Sequence, residues 1–272
     1  MQTREFAMTE ADFAAIARLA LEHTGIVLAE HKKDMVYGRI ARRIRARRLS
    51  SFTQYIDYLS RHLQDEISEF INALTTNLTS FYRESHHFDF LQRRWLPELL
   101  TQSTRKRLRV WSAGCSIGQE VYSIAMALKE GGIPHSWDCK LLATDLDSNV
   151  LETGRAARYP IAALENLPAG LEKRYFERIN TKEVQVIPAL RNMVFFKRLN
   201  LLGAWPMTGP FDAIFCRNVV IYFNKDTQRQ LFDRMADMLP LGGHLFIGHS
   251  ENLHGITGRF EPLGQTIYRK IH

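Results

Sequence analysis

The chain has 272 residues, of which 45% are hydrophobic and 24% charged, and a formal net charge of +7. This composition is ordinary for a globular protein and allows one large domain or two modest ones. No apolar run approaches the roughly 18 residues of a membrane span, and the amino terminus lacks a secretory signal pattern. Cys115, Cys139 and Cys216 are far apart, which argues against a disulfide framework or a zinc site. We therefore expect a cytoplasmic protein with reduced thiols and no metal.

The positive charge is concentrated between His31 and Arg48. Eight lysines and arginines in this segment oppose one acidic residue, Asp34, so the segment alone accounts for the net charge. Such a local basic patch indicates a negatively charged macromolecular partner. A solvated helix face remains an alternative. Nucleic-acid binding is a third reading, although no aromatic residues for base stacking are interleaved with the arginines.

Residues 1–74 are predicted to form a small amino-terminal helical domain. Thr9 and Asp12 have the spacing of a capping box before an apolar series, which predicts the start of a helix. Gly25 is expected to end that helix. A second helix carries the arginines, a third follows Ser51, and a fourth comes directly after it.

From residue 75 onward the pattern predicts an α/β domain. Strands are predicted near 108–113, 139–144, 193–199, 211–216 and 243–248, with helices near 118–130, 147–157 and 225–239. This alternation is typical of a parallel sheet covered on both faces. Since the connection at 251–264 is too short for a crossover helix, the last strand, 265–270, is predicted to be antiparallel. A small antiparallel β insertion is predicted at about 177–196.

Three of these strands run into turns suited to binding a ligand. Gly114 and Gly118 follow the first strand, Asp145 the second, and Arg217-Asn218 the fourth. Parallel sheets bind ligands at the carboxyl ends of their strands. The first turn lacks the third glycine of a dinucleotide fingerprint, and Asp145 is placed either to accept both ribose hydroxyls or to cap the next helix. Together with the reversed last strand, these features favour a class I S-adenosylmethionine-dependent methyltransferase domain with a Rossmann-like sheet over residues 75–272.

Six motifs, in order, resemble the CheR family of chemotaxis receptor methyltransferases. They are Asn-Leu-Thr-Ser-Phe-Tyr-Arg-Glu at 77–84, Trp-Ser-Ala-Gly-Cys-Ser-Ile-Gly-Gln-Glu-Val-Tyr-Ser at 111–123, Ala-Thr-Asp-Leu-Asp at 143–147, Asn-Leu at 200–201, Cys-Arg-Asn-Val-Val-Ile-Tyr-Phe at 216–223 and Gly-His-Ser-Glu-Asn at 248–252. The resemblance covers both predicted domains. It implies a protein-glutamate O-methyltransferase that modifies the cytoplasmic methylation helices of transmembrane chemoreceptors during adaptation. The products would be glutamyl methyl esters and S-adenosylhomocysteine.

The resemblance also implies the residues of the site. The cofactor would be bound by Asn77, Thr79, Arg83, Glu120, Asp145, Asn200, Leu201, Arg217 and Asn218. Arg83 would orient the substrate carboxylate, and Tyr222 would face the methyl-transfer centre. The acidic receptor segment would be bound by Arg39, Arg42, Arg43, Arg45, Arg47 and Arg48. We expect a monomer that binds no nucleic acid.

Two features depart from the usual family pattern. Ile117 and Gln119 stand where the first loop usually has threonine and glutamate, so altered cofactor contacts are expected. The β insertion lacks the longer loop of members that dock on a receptor's carboxy-terminal pentapeptide, so we expect this chain not to need that tether. Two alternatives stay open: an RNA or small-molecule methyltransferase, and a non-catalytic module that senses S-adenosylmethionine.

Overall fold

The computed structural model describes residues 4–75, 77–102 and 104–272. Its amino-terminal part consists of α1 (Glu10–Thr24), a 3₁₀ turn (Glu30–Lys32), α2 (Lys33–Ala46), α3 (Phe52–Arg61) and α4 (Leu63–Leu74). Thr9 and Asp12 form the predicted capping box, and Gly25 ends α1 in the left-handed conformation with φ 73°. Ser51 caps α3 by accepting a hydrogen bond from the backbone of Gln54. The predicted helices of this part are therefore confirmed.

These helices enclose an apolar core that contains the fully buried carboxylate of Glu66. Ile16, Ile40 and Ile44 are fully buried there as well. That carboxylate accepts hydrogen bonds from the hydroxyl of Tyr55 at 2.9 Å and from arginine side chains of α2 and the turn after it. A buried carboxylate is tolerated because these donors replace the water it has lost.

The rest of the chain is an α/β domain. Its elements are α5 (His86–Phe90), a π-helical turn (Leu91–Trp95), α6 (Leu96–Gln102), β1 (Arg107–Ala113), α7 (Gln119–Glu130), β2 (Asp138–Asp145), α8 (Ser148–Ala156), β3 (Arg158–Pro160), a 3₁₀ turn (Ile161–Leu164), α9 (Leu171–Tyr175), β4 (Phe176–Arg178), β5 (Glu183–Val186), α10 (Pro188–Arg191), β6 (Val194–Arg198), β7 (Ala213–Cys216), a 3₁₀ turn (Val220–Tyr222), α11 (Lys225–Asp237), β8 (His244–Ile247), β9 (Phe260–Gly264) and β10 (Ile267–Lys270). No helix in the described ranges combines the length and apolarity needed to cross a membrane.

The main sheet has the strand order β6-β2-β1-β7-β8-β10-β9. The strands from β6 to β8 are parallel, and β10 is antiparallel to β8, which confirms the predicted reversed strand. Ala113 lies opposite Thr144 and Ser112 opposite Phe215. This register brings the carboxyl ends of β2, β1 and β7 side by side. The turns that the sequence singled out therefore share one edge of the sheet.

Successive residues of the central strands point into different cores. Val110 and Phe215 belong to the core on one face, while Trp111 and Ile214 belong to the core on the other. Strand side chains alternate between faces, so a strand buried on both sides must be apolar at nearly every position. This explains the continuous apolar runs in the sequence.

The small β insertion exists, but its predicted limits were wrong. Its strands have the order β3-β5-β4 and lie between residues 158 and 186, rather than at about 177–196. Leu190, inside the predicted insertion, lies in the short helix α10, and β6 belongs to the main sheet. Strand β9, which forms a hairpin with β10, was not predicted. The three-residue strands β3 and β4 are too short to show a periodic pattern in the sequence. Strand β9 could not be recognised either, because Pro262 interrupts its pattern.

Candidate active site

A cleft of about 1150 Å³, including its open mouth, lies at the carboxyl edge of the main sheet. The amino-terminal helical part contributes one wall through Thr24, Ile26, Leu28 and Lys32. Every residue that the resemblance implied for the cofactor or for methyl transfer lines this cleft: Asn77, Thr79, Arg83, Glu120, Asp145, Asn200, Leu201, Arg217, Asn218 and Tyr222. Five of the six motifs that carried the resemblance thus meet in one cleft, and the sixth, at 248–252, contributes no lining residue.

Asp145 lies at the end of β2 against the turn after β1. Its Oδ2 accepts a hydrogen bond from the backbone N–H of Ser116 at 2.8 Å, and its Oδ1 accepts one from Asp147 at 3.0 Å. Burial raises the pKa of Asp145, while these backbone hydrogen bonds oppose the shift. Each oxygen keeps lone pairs for a further donor, which fits the two hydroxyls of a ribose. The reading of Asp145 as a helix cap is wrong, because Asp147 caps α8.

The turn after β1 is shaped for close approach of a ligand to the backbone. Gly114 has φ 89°, and a Cβ atom there would collide with the side chain of Val219. Ser116 also lies in the left-handed region, with φ 49°, and its hydroxyl donates to the carbonyl of Asn77 at 3.1 Å. The residue type at position 114 is thus dictated by the loop that follows β7, far away in sequence.

The side-chain amides of Asn77 and Asn200 form hydrogen bonds that connect separate segments of the protein. The side chain of Asn77 donates to Oδ2 of Asp147 at 2.8 Å. The side chain of Asn200 donates to the carbonyl of His23 at 3.1 Å, and its oxygen accepts from the backbone of Leu202 at 2.9 Å. These contacts join the linker after α4 to α8 and join α1 to the loop after β6. The amides therefore shape the cleft through its loops.

Arg217 is the centre of a buried charge cluster. Its guanidinium lies 3.1 Å from Glu120 and 3.3 Å from Glu84, and it also donates to the carbonyl of Arg83. Burial alone would raise the pKa of Glu84, but Arg217 and a hydrogen bond from His249 outweigh it and hold the pKa at about 2. Burial raises the pKa of Glu120, against the effect of Arg217. One arginine with two carboxylates leaves no free positive charge at this position.

Arg83 sits in a strained turn. Its neighbours Tyr82 and Glu84 both lie in the left-handed region, with φ 52° and 56°. The backbone N–H of Tyr82 donates to the hydroxyl of Ser123 at 3.0 Å, and the carbonyl of Arg83 is held by Arg217. Left-handed non-glycine residues cost about 1 kcal/mol or more each and cluster at functional sites. The guanidinium of Arg83 donates to the carbonyl of Leu78 at 2.8 Å.

Glu251, in the Gly-His-Ser-Glu-Asn motif, supports the site although it was not among the predicted site residues. Its buried carboxylate accepts backbone hydrogen bonds from Gly248, Asn218, Val219 and Val220 at 2.6 to 3.0 Å. It thus fastens the turn after β7 to the turn after β8. An acid a few residues beyond the buried strand near 243–248 was the available signal, because such an acid can reach backbone N–H groups at the same sheet edge.

The six arginines of the basic segment divide into two groups. Arg43 and Arg47 bind the buried Glu66, and Arg39 donates to the carbonyls of Leu74, the last residue of α4, and of Thr75 after it. These contacts belong to the packing of the helical part. The remaining arginines of the segment are exposed: Arg42, Arg45 and Arg48. Arg45 pairs with Glu5 at 3.0 Å on the surface.

The side chains of Ile117 and of the two cysteines at strand ends do not line the cleft. Ile117 packs against the core, so the expectation of an altered cofactor contact there is not supported. Gln119 is buried and does not line the cleft either. Burial raises the pKa of Cys115 and Cys216 well above the usual value, which keeps both thiols protonated.

The sheet, its reversed strand and the cleft at its carboxyl edge define a class I S-adenosylmethionine-dependent methyltransferase. Residues 77–269 match the family described as CheR methyltransferase, SAM binding domain, and residues 11–75 match CheR methyltransferase, all-alpha domain. The chain therefore belongs to the CheR methyltransferase family, and its cofactor is S-adenosylmethionine.

Curated relatives agree over nearly the whole length. Chemotaxis protein methyltransferase 2 of Pseudomonas aeruginosa is 43% identical over 271 residues, covering 97% of this chain and 95% of that protein. Chemotaxis protein methyltransferase of Escherichia coli K12 is 44% identical over 276 residues, covering 98% and 93%. Among solved structures, a methyltransferase from Mesorhizobium loti aligns over 56% of this chain and 51% of that chain at 18% identity, with a TM-score of 0.32, a likeness too remote to bear on function.

Proposed function

We propose that this chain transfers the methyl group of S-adenosylmethionine to glutamate side chains of chemoreceptors. The products would be glutamyl methyl esters and S-adenosylhomocysteine. The observation that carries the proposal is that a single cleft is lined by Asp145, Arg83 and Tyr222 and walled on one side by the helical part. Such a cleft offers a ribose acceptor, a cation for an acidic substrate and an aromatic residue for the transfer centre.

The reaction mainly requires the protein to align the substrate carboxylate with the methyl group and the sulfur of the cofactor. S-adenosylmethionine supplies an electrophilic methyl group on a positively charged sulfur. A glutamate carboxylate, with an ordinary pKa of about 4.3, is already ionised at neutral pH and needs no general base. One of its oxygens attacks the methyl carbon, the O–C bond forms as the C–S bond breaks, and the electron pair stays on sulfur. Holding the reactants in line is worth several kcal/mol of the barrier, of the order of 7 or more in favourable cases.

We assign the following roles to the predicted site residues that line the cleft. Asp145 accepts the ribose hydroxyls of the cofactor. Arg217, neutralised by its two carboxylates, fixes the turn that carries Arg83. Arg83 orients the substrate carboxylate, and Tyr222 closes the transfer centre. The other lining residues shape the cofactor pocket: Asn77, Thr79, Glu120, Asn200, Leu201 and Asn218.

The two parts of the chain would have different functions. We propose that residues 1–74 recognise the receptor and that residues 75–272 bind the cofactor and catalyse transfer, in a monomer that acts in the cytoplasm. The exposed Arg42, Arg45 and Arg48 would attract acidic receptor helices, whereas Arg39, Arg43 and Arg47 serve mainly to hold the helical part together. Such long-range attraction weakens with salt.

We also propose that the enzyme works without a receptor tail pentapeptide. The connection between β4 and β5 is only 179–182, and the side chain of Asn180 closes it by accepting from the backbone of Lys182 at 2.8 Å and of Glu183 at 2.9 Å. A tight, self-satisfied turn offers little surface for a peptide. Measurable calorimetric binding of a receptor tail pentapeptide would contradict this part of the proposal.

The decisive experiment uses methyl-labelled S-adenosylmethionine and membranes that bear chemoreceptors. We expect label on the receptor band that mild alkali removes, because carboxyl methyl esters are alkali-labile. Label that resists alkali would mean a different methyl acceptor. Cofactor binding without any label on several receptors would favour the sensing module instead.

A further inference from the structure

We infer that Lys32 binds the carboxylate of the substrate glutamate, so that the helical part completes the active site. This inference rests on the proposed function and extends it. Lys32 lies in the 3₁₀ turn before α2, outside the motifs of the catalytic domain, and it was not among the arginines expected to bind the receptor. Lys32 would contact the reacting carboxylate, whereas the arginines would bind the receptor away from the reacting group.

Lys32 lies beside the proposed methyl-transfer centre. Lys32 and Tyr222 both line the cleft, and the Lys32 ammonium lies 4.7 Å from the centre of the Tyr222 ring. The two segments are fastened to each other, because the backbone N–H of Val27 donates to the carbonyl of Tyr222 at 3.0 Å. A cation at this distance over an aromatic face is attracted to it. The ammonium is therefore held beside the residue proposed to face the transferred methyl group.

The positive charges in the cleft differ in whether a carboxylate neutralises them. Among the described residues that line it, the cations are Lys32, Arg83 and Arg217. Arg217 is neutralised by Glu84 and Glu120, and Arg83 contacts the uncharged carbonyl of Leu78. In the described part of the chain no carboxylate lies within 4.0 Å of the Lys32 ammonium. An entering carboxylate would thus meet two uncompensated cations, Lys32 from the helical part and Arg83 from the catalytic domain.

The adjacent Lys33 differs from Lys32 in its surroundings. Lys33 carries the same charge one residue further along, but it pairs with Glu10 and does not line the cleft. General attraction of an acidic receptor would use both lysines alike. A role at the substrate carboxylate requires Lys32 alone. Because an amide carries no charge, this contact would also favour glutamate over glutamine in the receptor.

The test compares Lys32→Gln, Lys32→Arg and the matched control Lys33→Gln in receptor methylation, with S-adenosylmethionine affinity measured by calorimetry. A charge-assisted contact is worth about 1.5 to 3 kcal/mol, so we expect kcat/KM for the receptor to fall by about tenfold or more in Lys32→Gln. Lys32→Arg should recover much of that loss, Lys33→Gln should resemble the wild type, and the affinity for S-adenosylmethionine should stay within about twofold in every variant.

Two results would overturn the inference. One is equal kcat/KM for Lys32→Gln and Lys33→Gln. The other is a parallel loss of S-adenosylmethionine affinity in Lys32→Gln, which would assign the lysine to the cofactor. If the wild type itself places no alkali-labile label on any receptor, the proposed function is wrong and this inference falls with it.

Discussion

The carboxylate of Glu251 accepts a hydrogen bond from the backbone N–H of Asn218 at 3.0 Å. Asn218 lies in the left-handed region, with φ 59°, and lines the cofactor cleft. Gly248 completes the arrangement, because a side chain there would collide with Asn218. The conformation of the turn after β7 thus depends on an acid contributed by the turn after β8.

We therefore predict that Glu251→Gln weakens cofactor binding although Glu251 does not line the cleft. The amide would present one donor to N–H groups that need acceptors, and an unsatisfied buried donor costs about 1 to 3 kcal/mol. Urea unfolding should show a loss of that size, and calorimetry should show S-adenosylmethionine affinity reduced about tenfold. Glu261→Gln is the control, because Glu261 lies on strand β9 and pairs with Arg269 of the neighbouring strand β10. Unchanged affinity in Glu251→Gln would show that the turn holds its shape without this acid.

Asp145 is the residue proposed to accept the ribose hydroxyls of the cofactor. Asp145→Asn should lower S-adenosylmethionine affinity by about tenfold or more, since the amide can accept only one of the two ribose hydroxyls. Asp138→Asn, at the opposite end of the same strand, should leave the affinity unchanged. Calorimetric titration of both variants makes the comparison. Equal affinities would remove Asp145 from the cofactor site.

Neighbouring arginines on α2 should behave differently. Arg43 reaches the fully buried Glu66, so Arg43→Met should lower the free energy of unfolding by about 2 kcal/mol, since Arg47 and Tyr55 still satisfy part of the carboxylate. Arg42 is exposed, so Arg42→Met should leave stability unchanged and slow receptor methylation at low salt. Urea unfolding and initial rates at two salt concentrations distinguish the variants. A destabilised Arg42→Met would contradict the assignment.

The stability of the α/β domain should depend on pH through His244. Burial, with the nearby charges of Arg269 and Arg94, lowers the pKa of His244 to about 4. The unfolded chain binds a proton below about pH 6.5 while the folded chain does not, so stability is lost as pH falls from 6.5 to 4, by about 3 kcal/mol for this group. His244→Phe should flatten this part of the curve of unfolding free energy against pH. The exposed His135→Phe should not, and identical slopes for the two variants would refute the prediction.

Much of the fold could be read from local patterns. The capping box at Thr9, the left-handed glycine at position 25 and the apolar runs of the central strands each act within a few residues, so they are visible in the sequence. The three-residue strands β3 and β4 depend on pairing with β5, which lies elsewhere in the chain. Their formation is decided by that pairing, which no local pattern reports.

The same distinction holds for the site. The sequence by itself determined the family, the order of the strands along the chain and the polar residues at their carboxyl ends, because those residues follow buried strands directly. Only the tertiary structure decided which charged side chains are neutralised within the protein and which can meet a ligand. Arg217 is neutralised by Glu84 and Glu120, Arg43 is committed to Glu66, and Lys32 is brought over the ring of Tyr222. Charge pairing depends on distances of a few ångströms between segments remote in sequence, and only the packed fold sets those distances.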